Sequence, residues 1–129
     1  MGKTVLELTP EERRSFQPAD AIRQRNKDRQ KEIANRRSEA WQFARKAAEL
    51  LKSKFGAKRV VVFGSLAYKD GFTPWSDLDL AAWGIPPDQF YQAVAAVTGV
   101  SSTIRIDLVD PESCQTHLRE TIEREGIEL

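Results

Sequence analysis

Between Ala19 and Phe55 the chain has neither proline nor glycine, so nothing local interrupts a helix over that whole stretch. The two halves of the stretch are unlike. Ala40, Trp41, Ala44, Ala47, Ala48, Leu51 and Phe55 recur at helical spacing and make an apolar stripe, whereas Arg23 to Arg37 offers only Ile33 and Ala34. A striped helix must lay its stripe on a core; a helix without one stands in water. The second half is therefore expected to pack, and the first to be a charged arm for which a partner is the natural ordering surface. Upstream, Thr9-Pro10-Glu11-Glu12 carries the signals of another helix start, which should end before Pro18.

Gly56 follows the stripe where a helix-ending glycine belongs, and then the period changes. Arg59-Val60-Val61-Val62-Phe63 is a β-branched run typical of a buried strand. Ser76-Asp77-Leu78-Asp79-Leu80-Ala81 and Thr103-Ile104-Arg105-Ile106-Asp107-Leu108 alternate with period two, as strands with two unlike faces do. Pro86-Pro87-Asp88 opens an amphipathic helix through Phe90, Val94 and Val97 to Gly99, and Leu118 and Ile122 mark a last helix ending near Gly126. The order of elements predicts an α/β sheet domain beginning near residue 36.

With 129 residues, 40% of them hydrophobic and 30% charged, this is about one domain's worth of globular chain. No run approaches the roughly 20 apolar residues of a membrane span, and the opening residues have no sustained apolar stretch of the secretory kind. Cys114 is the lone cysteine, which excludes an intrachain disulfide and favours a cytoplasmic setting. With His117 as its only soft companion, a structural zinc site is excluded too. Any metal must be held by carboxylate oxygen. Net charge is +1, but residues 1–40 hold 10 Lys/Arg against 7 Asp/Glu, and residues 41–129 hold 10 against 12. That basic arm leaves nucleic-acid contact open.

The carboxylates carry the chemistry. Asp77 and Asp79, two apart in a predicted strand, should leave one face about 6.6–6.8 Å apart. Aspartate is a poor strand residue, and two of them facing one way repel unless a cation intervenes. Asp107 has the same relation to the second alternating strand. If the strands are neighbours, three carboxylates meet, a donor set suited to Mg²⁺ shared with substrate phosphates. Gly64-Ser65, directly after the apolar strand, would let backbone N–H groups approach a phosphate, more so if a helix starts at Ser65.

Val61-Val62-Phe63-Gly64-Ser65-Leu66-Ala67, then Ser76-Asp77-Leu78-Asp79-Leu80, then Ile106-Asp107-Leu108-Val109, resembles the DNA polymerase β type nucleotidyltransferase superfamily. Within it the chain is similar to the minimal nucleotidyltransferases (MNT) often encoded beside a HEPN-domain toxin. The resemblance covers about residues 40–129. It implies a palm-like mixed sheet of three to four strands flanked by helices, with residues 1–38 a helical extension and 39–129 the nucleotidyltransferase domain. It further implies that Gly64, Ser65, Lys69 and Ser76 contact the nucleotide, and that Asp77, Asp79 and Asp107 are catalytic and bind two Mg²⁺ ions, with Mn²⁺ a substitute. Asp107 would also help activate the acceptor. The implied reaction moves AMP from ATP, or another nucleoside monophosphate from its triphosphate, to a hydroxyl, with a tyrosine of a HEPN toxin as acceptor and an antitoxin role. Many relatives read Gly-Ser-x-Ala-Arg-Gly; here Leu66-Ala67-Tyr68-Lys69-Asp70-Gly71 has no arginine, and Lys69 is the replacement charge.

Two other classes compete. A binding module would neutralise its partner by occlusion, with Ala19 to Arg37 as grip. A transferase acting on a small molecule of aminoglycoside type would need a second domain or a homo-oligomer to build its acceptor pocket. Trp75 and Tyr68 are candidates to stack on a base or to cover a core edge; Trp41 and Phe43 read as packing residues, His117 as an exposed helix residue, and Cys114 as a small core residue.

Overall fold

The computed structural model describes residues 18–68 and 71–129. The helix start around Thr9 and the expected phosphate contact Lys69 lie outside the described residues. Helix α1 runs from Pro18 to Phe55, 38 residues without a break. The described residues divide into two units, one ending at Glu32 and the other running from Ile33 to Leu129. In the first, α1 is exposed on every side from Ala19 to Glu32; Ile22 stands 54% exposed, and the local links are Gln24 to Asp28 at 3.1 Å and Arg23 with Asp20 at 3.6 Å.

The second unit holds the sheet. After α1 come β1 (Arg59–Phe63), a four-residue 3-10 turn (Gly64–Ala67), β2 (Leu78–Trp83), α2 (Phe90–Thr98), β3 (Ile106–Val109), α3 (Thr116–Glu125) and β4 (Ile127–Glu128). The strand order is β3-β2-β1-β4, with β1 antiparallel to both neighbours and β2 parallel to β3. The fold is thus mixed α/β, with a four-stranded sheet between helices. The helix before β1 ends as expected: Gly56 has φ +72, a left-handed conformation cheap only for glycine, and Ala57 N–H donates to Leu51 O at 3.0 Å.

Both faces of β1 are covered, which is why its sequence is a continuous apolar run. Val60 and Val62 meet the α1 stripe, where Ala40, Ala44 and Ala47 are fully buried. The small side chains of the stripe share that layer with the larger Leu51, Leu78, Leu80 and Ile106. On the opposite face Val61, Phe63 and Ala81 pack under Ile122 of α3. Leu118 and Trp83 border that smaller cluster.

Some boundaries differ from the sequence pattern. The second alternating segment starts as a strand at Leu78, not at Ser76, because Thr73 to Ser76 close a turn: Ser76 N–H donates to Thr73 O at 3.1 Å, and Thr73 N–H donates to Ser76 Oγ at 2.9 Å. The third segment pairs only from Ile106, since Ser101 Oγ accepts from the backbone of Thr103 and Ile104. The helix expected from Ser65 is the 3-10 turn, ended by extended Tyr68 (φ −91, ψ 140). Strand β4, too short to show a period, closes the sheet edge against Val61 and Val62. Arg59 ties that edge together, pairing with Glu123 at 2.9 Å and with Glu128, its guanidinium 4.3 Å from the Trp83 ring centre.

Candidate active site

Strand pairing brings the chemistry together. In β2 the even-numbered Leu78, Leu80 and Ala82 face α1, so Asp79 shares the other face with Ala81. Across the antiparallel ladder Asp79 stands opposite Phe63, and across the parallel one opposite Asp107. Gly64, next after Phe63, lies against the Asp79 carboxylate: a Cβ there would collide with Oδ2 and sit 3.3 Å from Cγ, and φ is +73. Only glycine suits that position. Strand register therefore sets Asp79 beside Asp107, and the turn that follows β1 sets Gly64 against Asp79.

Asp77 sits just ahead of β2, held by the turn before it and by Leu78 N–H donating to Arg105 O at 2.8 Å. Its charge reaches Asp79. Burial pushes the Asp79 carboxyl up to about 6, and the like charges of Asp107 and Asp77 add to the shift, with only Arg105 opposing it. Asp107 is salt-bridged to Arg105 Nε at 3.2 Å, both side chains leaving the same face of the strand and its approach.

Among the described residues no three His, Cys, Asp or Glu side chains are gathered closely enough to hold a metal ion outright. The cause is visible in two places: Asp77 leaves the loop and not the strand, and Asp107 is turned toward Arg105. The donor set still fits a hard divalent cation. A half-buried carboxylate whose pKa is raised first by burial and then by the charges of Asp107 and Asp77 is relieved when a cation neutralises them.

The remaining predicted site residues are placed as follows. Ser65 is half-buried in the 3-10 turn, which presents backbone groups but has little helix dipole to add. Ser76 Oγ accepts from Thr73 N–H and lies 3.0 Å from Thr73 Oγ1, so its hydroxyl shapes the loop. Trp75 is 88% exposed and Tyr68 47%. The Tyr68 hydroxyl donates to Glu125, which holds its pKa above the ordinary value. Trp41 and Phe43 pack against the core, and His117 is exposed. Cys114 is half-buried, not a fully buried core residue.

Two residues carry structure that their sequence context hid. Arg36 donates to Thr103 O and Arg37 Nη1 to Tyr68 O at 2.7 Å, so α1 pins the segment before β3 and the segment after the 3-10 turn. Both look like the tail of the charge run. Their partners are 67 and 31 residues away in sequence, beyond any local signal.

The family described as nucleotidyltransferase domain matches residues 44–129. A solved protein designated a minimal nucleotidyltransferase is 33% identical, with TM-score 0.52, over 70% of this chain and 94% of its own. A mutant form of the toxin-antitoxin MntA–HepT matches with TM-score 0.54 at 22% identity over 66% of this chain and 69% of that one. The toxin-antitoxin MntA–HepT itself gives 0.50 at 18% over 68% and 69%, a likeness of fold. No curated protein matches. No helix among the described residues is long and apolar enough to cross a membrane. With the Gly-Ser turn and the paired aspartates set on adjacent strands of the matched region, the chain belongs to the nucleotidyltransferase domain family, in its minimal form.

Proposed function

We propose that this domain transfers AMP from ATP, in the presence of Mg²⁺, to the phenolic hydroxyl of a tyrosine on a HEPN-type toxin, and so acts as the antitoxin of a pair. The observation that carries the reading is Asp79 set beside Asp107 on neighbouring strands with Gly64, just after β1, packed against the Asp79 carboxylate. The toxin–antitoxin setting of MntA–HepT supports the choice of partner.

Asp77, Asp79 and Asp107 would hold the divalent ions, which when bound neutralise charge on both the entering and the leaving oxygen. Gly64 and Ser65 bind the triphosphate through backbone N–H groups, with the Lys69 ammonium as the added positive charge. Asp107 orients the acceptor hydroxyl and accepts its proton on a carboxylate oxygen. The acceptor oxygen forms a bond to the α-phosphorus, the α–β bridging bond breaks, and pyrophosphate leaves. Positioning and electrostatics do most of the work, which suits so small a domain.

The test is label transfer. Label from α-labelled ATP should reach the partner in Mg²⁺ and label from γ-labelled ATP should not. Asp77→Asn combined with Asp79→Asn should lower transfer by about a thousandfold or more. Undiminished transfer by that double variant contradicts the assignment.

The solvated helix from Ala19 to Glu32 favours one second reading, neutralisation by occlusion. In that case the double aspartate variant still neutralises the partner, and deletion of the arm does not.

A further inference from the structure

Beside Asp77 lies a cavity of about 270 Å³ that the reaction as described leaves unused. Its walls include Arg36, Trp75, Ser76, Asp77, Thr103 and Arg105. We propose that it is the acceptor subsite, and that it takes the aromatic ring of a tyrosine side chain, with Trp75 as the residue that selects it. This deepens the transferase reading above and rests on it.

The first argument is position. In-line displacement requires the entering and leaving oxygens on opposite sides of phosphorus. Gly64 and Ser65, the phosphate contacts, end β1 on one flank of β2; β3 lies on the other flank. The cavity is walled by Ser76 and Asp77, which lead into β2, and by Thr103 and Arg105, which lead into β3. It is therefore on the side away from the leaving group. Arg105 links it to Asp107, the carboxylate assigned to the acceptor hydroxyl, through the 3.2 Å salt bridge.

The second argument is chemistry. Trp75 offers an indole that is 88% exposed at the cavity, a large unused stacking surface. Arg36 is held at the cavity wall by its bond to Thr103 O, so that side of the cavity is fixed in place. The volume lies below the roughly 300–1,000 Å³ of whole small-molecule sites and suits one ring better than a nucleotide. A nucleic-acid acceptor is disfavoured by the Asp77 wall and by a core whose residues 41–129 hold 10 basic against 12 acidic side chains.

The test uses the full chain, N-acetyltyrosinamide as acceptor probe and α-labelled ATP with Mg²⁺. The probe should shift the Trp75 indole N–H resonance, assigned by its loss in Trp75→Phe. Trp75→Ala should raise KM for the probe about three- to tenfold, the range of one aromatic stack, while KM for ATP stays within about twofold. Tyr91→Ala, which removes another exposed aromatic, should change neither. An effect of Trp75→Ala on KM for ATP alone overturns the proposal by putting the nucleobase in the cavity. An indole that ignores the probe overturns it as well, whether or not an oligonucleotide with a free 3′-hydroxyl shifts it. If the probe shifts the indole while no label leaves ATP, the ring site stands and the transferase reading fails.

Discussion

The two faces of the central sheet have opposite physical characters. Toward α1, Val60, Val62, Leu78, Leu80 and Ile106 are buried with the alanines of the helix stripe, and no charge among the described residues interrupts the layer. On the other face the apolar cluster of Val61, Phe63, Ala81 and Ile122 gives way to Asp79 and Asp107. The first face lowers the free energy of the fold. The second carries an unfavourable element beside its own apolar cluster, because Asp79 is half-buried among like charges. The contrast teaches where function sits on this sheet: where alternation keeps a carboxylate that folding alone would not select.

The largest expected effect is on the apolar face. Leu80 is fully buried, so Leu80→Ala should cost about 2–5 kcal/mol in chemical denaturation, through lost burial and the cavity left behind. A loss below about 1 kcal/mol would mean that α1 is not the main cover of that face. Gly64→Ala tests the junction between the faces. Its left-handed backbone and the collision with Asp79 should cost about 1–3 kcal/mol, and transfer should fall further than stability does because the same carboxylate is displaced. Wild-type transfer in that variant would show that the close approach of Gly64 to Asp79 is not needed.

The acid face should also give a pH signature. The Asp79 carboxyl titrates near 3.8 when unperturbed and near 6 in the fold, so the folded chain retains a proton that the unfolded chain has lost. Its favourable contribution is full below about pH 4 and disappears as pH rises through about 6. The Tm difference between wild type and Asp79→Asn should therefore shift against wild type across that window in metal-free buffer. A difference that is flat in pH contradicts the shift. The smallest effect is expected at Arg37, where Arg37→Ala removes one exposed hydrogen bond to Tyr68 O and should cost about 0.5–1.5 kcal/mol by thermal denaturation.

Period and punctuation made most of the architecture legible. The apolar run at Val60 to Phe63, the alternation around Asp79 and Asp107, and glycine after Phe55 are local signals, and the structure follows them. What was not legible is non-local or too short. The exchange of bonds between Thr73 and Ser76 holds Asp77 out of the strand, although the alternation includes it. Strand β4 has two residues, too few for a pattern. The register that sets Asp79 against Asp107 exists only once β2 and β3 pair, and the Arg105 link to Asp107 only in the folded arrangement of their side chains. Arg36 and Arg37 were indistinguishable from the solvated charge run because their partners come from distant loops.

The most direct test of the contrast between the faces is a Mg²⁺ titration of thermal stability at pH 7.5, comparing wild type with Asp79→Asn. The account predicts that without metal Asp79→Asn melts higher than wild type, since it removes a repelled, half-buried charge, and that Mg²⁺ raises the Tm of wild type but not of the variant. A variant that melts lower without metal and still gains stability from Mg²⁺ would contradict it.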